Sequence, residues 1–237
     1  MITTILFDLD DTLLDFKRAE ANALRQTLLQ MDIAPTEQTL IRYSAINQHQ
    51  WELLEQGRIT REQVLHQRFD ILFQELKICR SSHLAQEIYE HLLSLQHDLI
   101  PGAIDLLERL YGTYTLYLVS NGTAKVQDQR LQDTGLDRYF QNIFISQRIG
   151  ADKPSPVFFD RCFAAISDQD RNHAMIVGDS LSSDILGGIH AGIQTCWFNP
   201  HRKQSGSDIS PDYEIHTLSQ LPELLETLQK NDKAYSV

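Results

Sequence analysis

The sequence is poor in cysteine. Cys79, Cys162 and Cys196 are the whole complement, odd in number and far apart in 237 residues. That argues against a disulfide framework, and no Cys/His grouping has zinc spacing, so the three read as free thiols of a reducing compartment. Positive charge is also scarce: 21 basic residues face 32 acidic ones, for a net charge of −11. Phosphate backbones and anionic membranes attract basic patches, so a binder of nucleic acid or membrane surface is disfavoured, whereas a small anionic substrate in a local site is not. No apolar run approaches the roughly 20 residues that span a bilayer. The N-terminus enters a strand almost at once, with no basic region followed by an apolar one, so no signal peptide is expected. Internal repeats and low-complexity segments are absent. A soluble, cytoplasmic globular protein is the expectation.

What is present is enough apolar sequence, 42%, for a sizeable core in one large domain or one domain carrying an insertion. Short apolar runs at 2–7, 115–119, 174–177 and 193–198, and a weaker one at 142–145, read as buried strands. Helical patterns lie between them at 103–111, 124–134, 156–166 and 181–191, with a last one near 218–229. Strands alternating with helices predict an α/β fold, a parallel sheet covered on both faces. Residues 16–98 break the rhythm with four helical patterns, near 16–31, 37–56, 60–78 and 82–96. Thr60 and Gln63 match a capping box at the start of the third. The stretch 200–211 is polar and turn-rich and reads as an exposed loop. The expected organisation is an α/β core of residues 1–15 and 99–237, interrupted by a helical insertion at 16–98.

In open parallel sheets, ligands bind beyond the carboxyl ends of the strands. Those ends carry Asp8, Asp10, Asp11 and Thr12; Ser120 and Asn121; Lys153 before Pro154; and Asp179 with Asp184. Two carboxylates about 4 Å apart repel by roughly 4 kcal/mol at an effective dielectric near 20. Asp8, Asp10, Asp179 and Asp184 therefore call for cations. Oxygen donors without His or Cys favour a hard ion, and beside phosphate that ion is usually Mg²⁺. With Lys153 as a second positive charge, such a site suits a phosphate dianion that a carboxylate can attack. Asp11 reads as a turn residue, and Thr12 as the lock on that turn.

DLDDT, Ser120-Asn121, Lys153 and GDSLSSD resemble, in order and spacing, the motifs of phosphatases of the haloacid dehalogenase superfamily. The resemblance implies a Rossmann-like core with an inserted α-helical cap. It implies Asp8 as nucleophile and Asp10 as general acid, then base. Ser120, Asn121 and Lys153 would hold the phosphoryl group; Asp8, the backbone carbonyl of Asp10, and Asp179 would bind Mg²⁺. Asp184 would support the metal or orient Lys153. The dehalogenase branch lacks the second aspartate, so Asp10 favours phosphoryl transfer. "INQHQWELLEQGRIT" and "GDSLSSDILGGIHAGIQTCWFN" look like the pyrimidine nucleotide 5′-monophosphatases, which implies UMP, dUMP, TMP or non-standard analogues as substrates. Asn47 sits on an otherwise apolar helical stripe one turn from Trp51. The pair could read and stack a pyrimidine, or be a satisfied buried amide beside core. Arg68, at the border of the third helix's apolar face, reads as a snorkelling surface arginine. Cys196-Trp197 reads as core. Phosphatases of sugar phosphates or phosphoglycolate, and a catalytically silent binding protein, are the rival readings.

Overall fold

The computed structural model of the chain describes residues 1–166, 171–204 and 208–234. In chain order the elements are β1 (Thr4–Phe7), α1 (Phe16–Gln30), α2 (Glu37–Glu55), α3 (Arg61–Glu75), α4 (Ser82–Ser94), α5 (Ala103–Leu110), β2 (Thr115–Ser120), α6 (Ala124–Thr134), β3 (Asn142–Ile145), α7 (Ser146–Ile149), α8 (Pro156–Ala164), β4 (Ala174–Gly178), α9 (Leu186–Ala191), β5 (Gln194–Phe198), β6 (Tyr213–Ile215) and α10 (Gln220–Ala234). They divide into two compact units, each with its own core. One holds Met1–Asp15, Leu99–Ala124 and Thr134–Val237; the other holds Phe16–Asp98 and Lys125–Asp133. No helix among the described residues is long and apolar enough to cross a membrane.

The first unit is built on a six-stranded sheet of order β3-β2-β1-β4-β5-β6. Every pairing is parallel, with Leu6 opposite Tyr117 on one side and Ile176 on the other. This is the expected Rossmann-like sheet. Ile5, Leu6 and Phe7 are all buried, as a central strand covered on both faces requires. Leu6, Val119 and Ile176 point into a core with Phe158, Phe159 and Phe163 of α8 and Ala191 of α9. Ile5, Phe7, Leu118 and Val177 alternate with these and lie on the opposite face. β1 and β4, neighbours in the sheet, mark the point where strand order reverses, the usual place for a ligand crevice.

Three elements differ from the sequence reading. α7 has four residues, too few to show a helical pattern. β6 has only three residues and a polar approach, too little pattern to show; residues 205–207 of the polar stretch before it lie outside the described residues. The helix read over 181–191 instead begins as a π-helical turn, Leu181–Ile185, before α9.

The second unit packs Ala19, Ala23, Tyr43, Phe69, Leu72 and Tyr89 of α1–α4 with Val126 of α6. The capping box forms as expected: Gln63 N donates to Thr60 Oγ1, and Thr60 N to Gln63 Oε1. Through this core runs a polar chain with residues from all four helices. Asn47 Nδ2 donates to Glu20 (2.7 Å). Asn47 Oδ1 accepts from Arg68 (2.8 Å) and from the Trp51 indole (3.1 Å). Arg68 also donates twice to Gln86 Oε1 (2.8 and 3.2 Å) and lies 4.8 Å from the centre of the Tyr89 ring. Arg68 is 3% exposed, so the reading of it as a snorkelling surface arginine is wrong. Its partners sit on other helices, where the pattern of α3 alone cannot reveal them.

Candidate active site

β1 ends by placing Asp8 beside β4: Asp8 N donates to Val177 O (2.9 Å), one residue beyond the strand. The chain then folds back, with Leu13 and Leu14 both donating to Leu9 O. Asp11 takes φ +58°, a left-handed conformation that aspartate tolerates, and its N–H closes the turn on Leu14 O (2.7 Å). It is a turn residue, as expected. Thr12 is buried and donates to Asp8 Oδ2 (3.3 Å), so it holds the carboxylate as well as the turn. Asp10 is half-buried on the same turn.

Lys153 is 1% exposed. Its ammonium donates to Asp8 Oδ1 (2.6 Å), Asp184 Oδ1 (2.6 Å) and Val119 O (3.0 Å), which uses all three of its hydrogens. Burial alone would lower the lysine's pKa; Asp184 and Asp8 outweigh it and raise it. Burial pushes the Asp8 carboxyl up toward about 8, against the pull of Lys153.

Asp184 owes its place to the π-helical turn, where its N–H returns to Ser180 O (3.0 Å) and its Oδ2 accepts from Ser180 N (3.1 Å). Gly178 makes room for it: a Cβ there would lie 2.3 Å from Asp184 Oδ2. The indole of Trp197 donates to Asp179 O (2.9 Å). Ser120 is buried, its Oγ accepting from Gly122 N (3.1 Å). The Asn121 carboxamide pairs with the main chain of Lys153.

Asp8, Asp179 and Asp184 bring carboxylate oxygens within 4.8 Å of one another. The Asp10 carboxylate is not in that group, and the expectation for Asp10 concerned its backbone carbonyl. Asp184 accepts from Lys153 through Oδ1 and from Ser180 N through Oδ2. An all-oxygen donor set beside a buried lysine fits Mg²⁺, the cofactor this site calls for. Sequence reasoning included Gly178 in GDSLSSD without a role for it, and missed the Val119 carbonyl and the hydrogen bond of Trp197. An indole in an apolar strand carries no signal beyond burial.

A parallel sheet that gathers aspartates and one buried lysine at the ends of its strands makes a site for a metal ion and a small anion. Residues 5–198 match the haloacid dehalogenase-like hydrolase family, and the chain belongs to it. Among known proteins it is similar to the HAD-hydrolase YfnB of Bacillus subtilis, 40% identical over 94% of both chains. The crystal structure of YfnB bound to magnesium superimposes with a TM-score of 0.90, covering 94% of this chain and 98% of that one. It is also similar to the pyrimidine 5′-nucleotidases PynA of Streptococcus pneumoniae and YjjG of Escherichia coli. PynA is 35% identical over 96% of this chain and 95% of its own length; YjjG is 32% identical over 93% and 96%. By family and by these relatives the chain is an enzyme, a phosphoric monoester hydrolase.

Proposed function

We propose that this enzyme is a Mg²⁺-dependent phosphatase of nucleoside 5′-monophosphates, preferring pyrimidine ones such as UMP, dUMP, TMP and non-standard analogues. The observation that carries phosphoryl transfer is the Lys153 ammonium held 2.6 Å from both Asp8 and Asp184, beside the Asp179 carboxylate. Asp8 is a nucleophile only as the anion. Burial opposes that form and Lys153 favours it. An Asp8 oxygen attacks phosphorus, the bond to the ester oxygen breaks, and Asp10 gives that oxygen its proton. Asp10 then takes a proton from water, whose oxygen attacks the aspartyl-phosphate. The phosphate–Asp8 bond breaks and inorganic phosphate leaves. Ser120 holds the phosphoryl oxygens, and the positive charge of Lys153 attracts them. Bound Mg²⁺, held by Asp8, Asp179 and the Asp10 carbonyl, would supply the charge that neutralises those oxygens.

Residues 16–98 form the cap in this reading. The preference for pyrimidines rests on the nucleotidase relatives, which match over nearly full length. Within the cap, Asn47 is 2% exposed and already bonded to Glu20, Arg68 and Trp51. We therefore assign base stacking to Trp51, which is half-buried, with Asn47 holding its indole.

Phosphate release from pyrimidine and purine 5′-monophosphates, sugar phosphates and phosphoglycolate tests this. A preference for UMP, dUMP or TMP is expected, abolished in Asp8→Asn and severely reduced in Asp10→Asn. Near-normal turnover by Asp8→Asn would sink the covalent mechanism, and a preference for sugar phosphates would sink the nucleotidase reading.

A further inference from the structure

Both polar atoms of the Asn121 side chain are turned toward another residue. Its Nδ2 donates to Lys153 O (2.9 Å), and its Oδ1 accepts from Lys153 N (2.8 Å). Only one orientation of the carboxamide satisfies both bonds, because a main-chain N–H needs an acceptor and a carbonyl needs a donor. This is the two-point pairing a neighbouring strand would make. The register between β2 and β3 ends at Ser120 opposite Ile145, and Lys153 lies eight residues further on. Asn121 thus extends the sheet's pairing, with a side chain, to a loop beyond its last rung. The ammonium of the same lysine returns to β2, where it donates to Val119 O (3.0 Å) before meeting Asp8 and Asp184. Lys153 is therefore tied at both ends to the tip of β2, by residues 119 and 121, which flank Ser120.

We propose that Asn121 is a positioning residue that acts on the substrate only through Lys153, rather than a ligand of the phosphoryl group. An amide oxygen offers a phosphate anion nothing, and the amide nitrogen spends one of its two hydrogens on the Lys153 carbonyl. A lysine stem is flexible, with four rotatable bonds between main chain and ammonium. Fixing its main chain sets the origin from which the ammonium reaches two carboxylates at once. The inference rests on the phosphatase reading, since it gives Lys153 a substrate to meet.

A double-mutant cycle separates the two roles. Asn121→Ala, Lys153→Met and the double variant would be assayed for kcat/KM on p-nitrophenyl phosphate with Mg²⁺, with melting temperatures as the folding control. A displaced catalytic group costs up to about a hundredfold, so Asn121→Ala should lose roughly ten- to a hundredfold. In the Lys153→Met background it should lose less than about twofold, because the group it positions is gone. The same loss in both backgrounds would mean that Asn121 touches the phosphate itself and would overturn the proposal, as would a fully active Asn121→Ala. Should Asn121→Ala not fold, Asn121→Asp, which keeps the acceptor and removes the donor, runs through the same cycle. If the wild type releases no phosphate, the phosphatase reading fails by itself. A crystal structure of the variant then decides: a Lys153 ammonium out of hydrogen-bond reach of Asp8 supports positioning, and an unchanged contact refutes it.

Discussion

At the scale of single residues, the site depends on what Gly178 does not have. A methyl group there would overlap Asp184, lying 2.3 Å from Oδ2 and 2.7 Å from its Cβ. Asp184 cannot swing away cheaply, because it is buried and bonded to Lys153 and Ser180. Gly178→Ala should therefore cost about 1–3 kcal/mol in a urea titration, the range for overpacking, and lower activity as well. A variant as stable and active as the wild type would show that Asp184 is not held. The thiols give a second prediction. Burial pushes Cys162 and Cys196 up to about 12, while Cys79 is exposed. At pH 8.5 the two buried thiols stay protonated in the fold, so a chromogenic disulfide should find one fast thiol in native protein and three in guanidinium. The motif residues were legible because they are polar groups at the ends of apolar strands. The roles of Gly178 and Trp197 were not, since they consist of a vacant volume and one indole hydrogen bond inside what reads as core.

At the scale of elements, local pattern revealed what local pattern makes. The four helices of the second unit and their capping box follow from spacing and from Thr60 with Gln63. The π-helical turn at Leu181–Ile185 did not, because its apolar residues suit an α-helix equally well; the backbone bond from Ile185 N to Ser180 O, five residues back, distinguishes them. Arg68 is the sharper case. It is buried between Asn47 and Gln86, and removing it takes a charged donor from buried acceptors on two helices, Asn47 Oδ1 and Gln86 Oε1. Breaking such a buried network by deleting one member costs about 3–5 kcal/mol, so Arg68→Met should lower the denaturation midpoint by a corresponding amount. Arg42 makes a shorter, two-pronged contact with Glu75 (2.6 and 2.7 Å), yet both side chains are exposed to solvent. Arg42→Met should scarcely move the midpoint. Equal effects from the two variants would mean that the Arg68 chain is as wet as a surface pair.

At the scale of the whole molecule, a small part of the excess of acid lies where it is most costly. The chain carries a net charge of −11; the carboxylates of Asp8 and Asp184 meet on one lysine, and that of Asp179 lies within 4.8 Å of theirs. A divalent cation bound there relieves repulsion that only the folded chain suffers, so it favours the fold over the unfolded state. At a hundredfold excess over its Kd, such a ligand adds about 2.7 kcal/mol. For a chain of this length each kcal/mol moves Tm by about 2–4 °C, so saturating Mg²⁺ should raise Tm by about 5–10 °C above that in EDTA. Screening of the general surface charge would also stabilise the chain, but sodium chloride of equal ionic strength reproduces that part alone. The remainder belongs to the site, and Asp179→Asn should remove it while leaving the response to sodium chloride intact. If Mg²⁺ and sodium chloride raise Tm equally in the wild type, the acidic cluster holds no specific cation and the metal-dependent mechanism loses its footing.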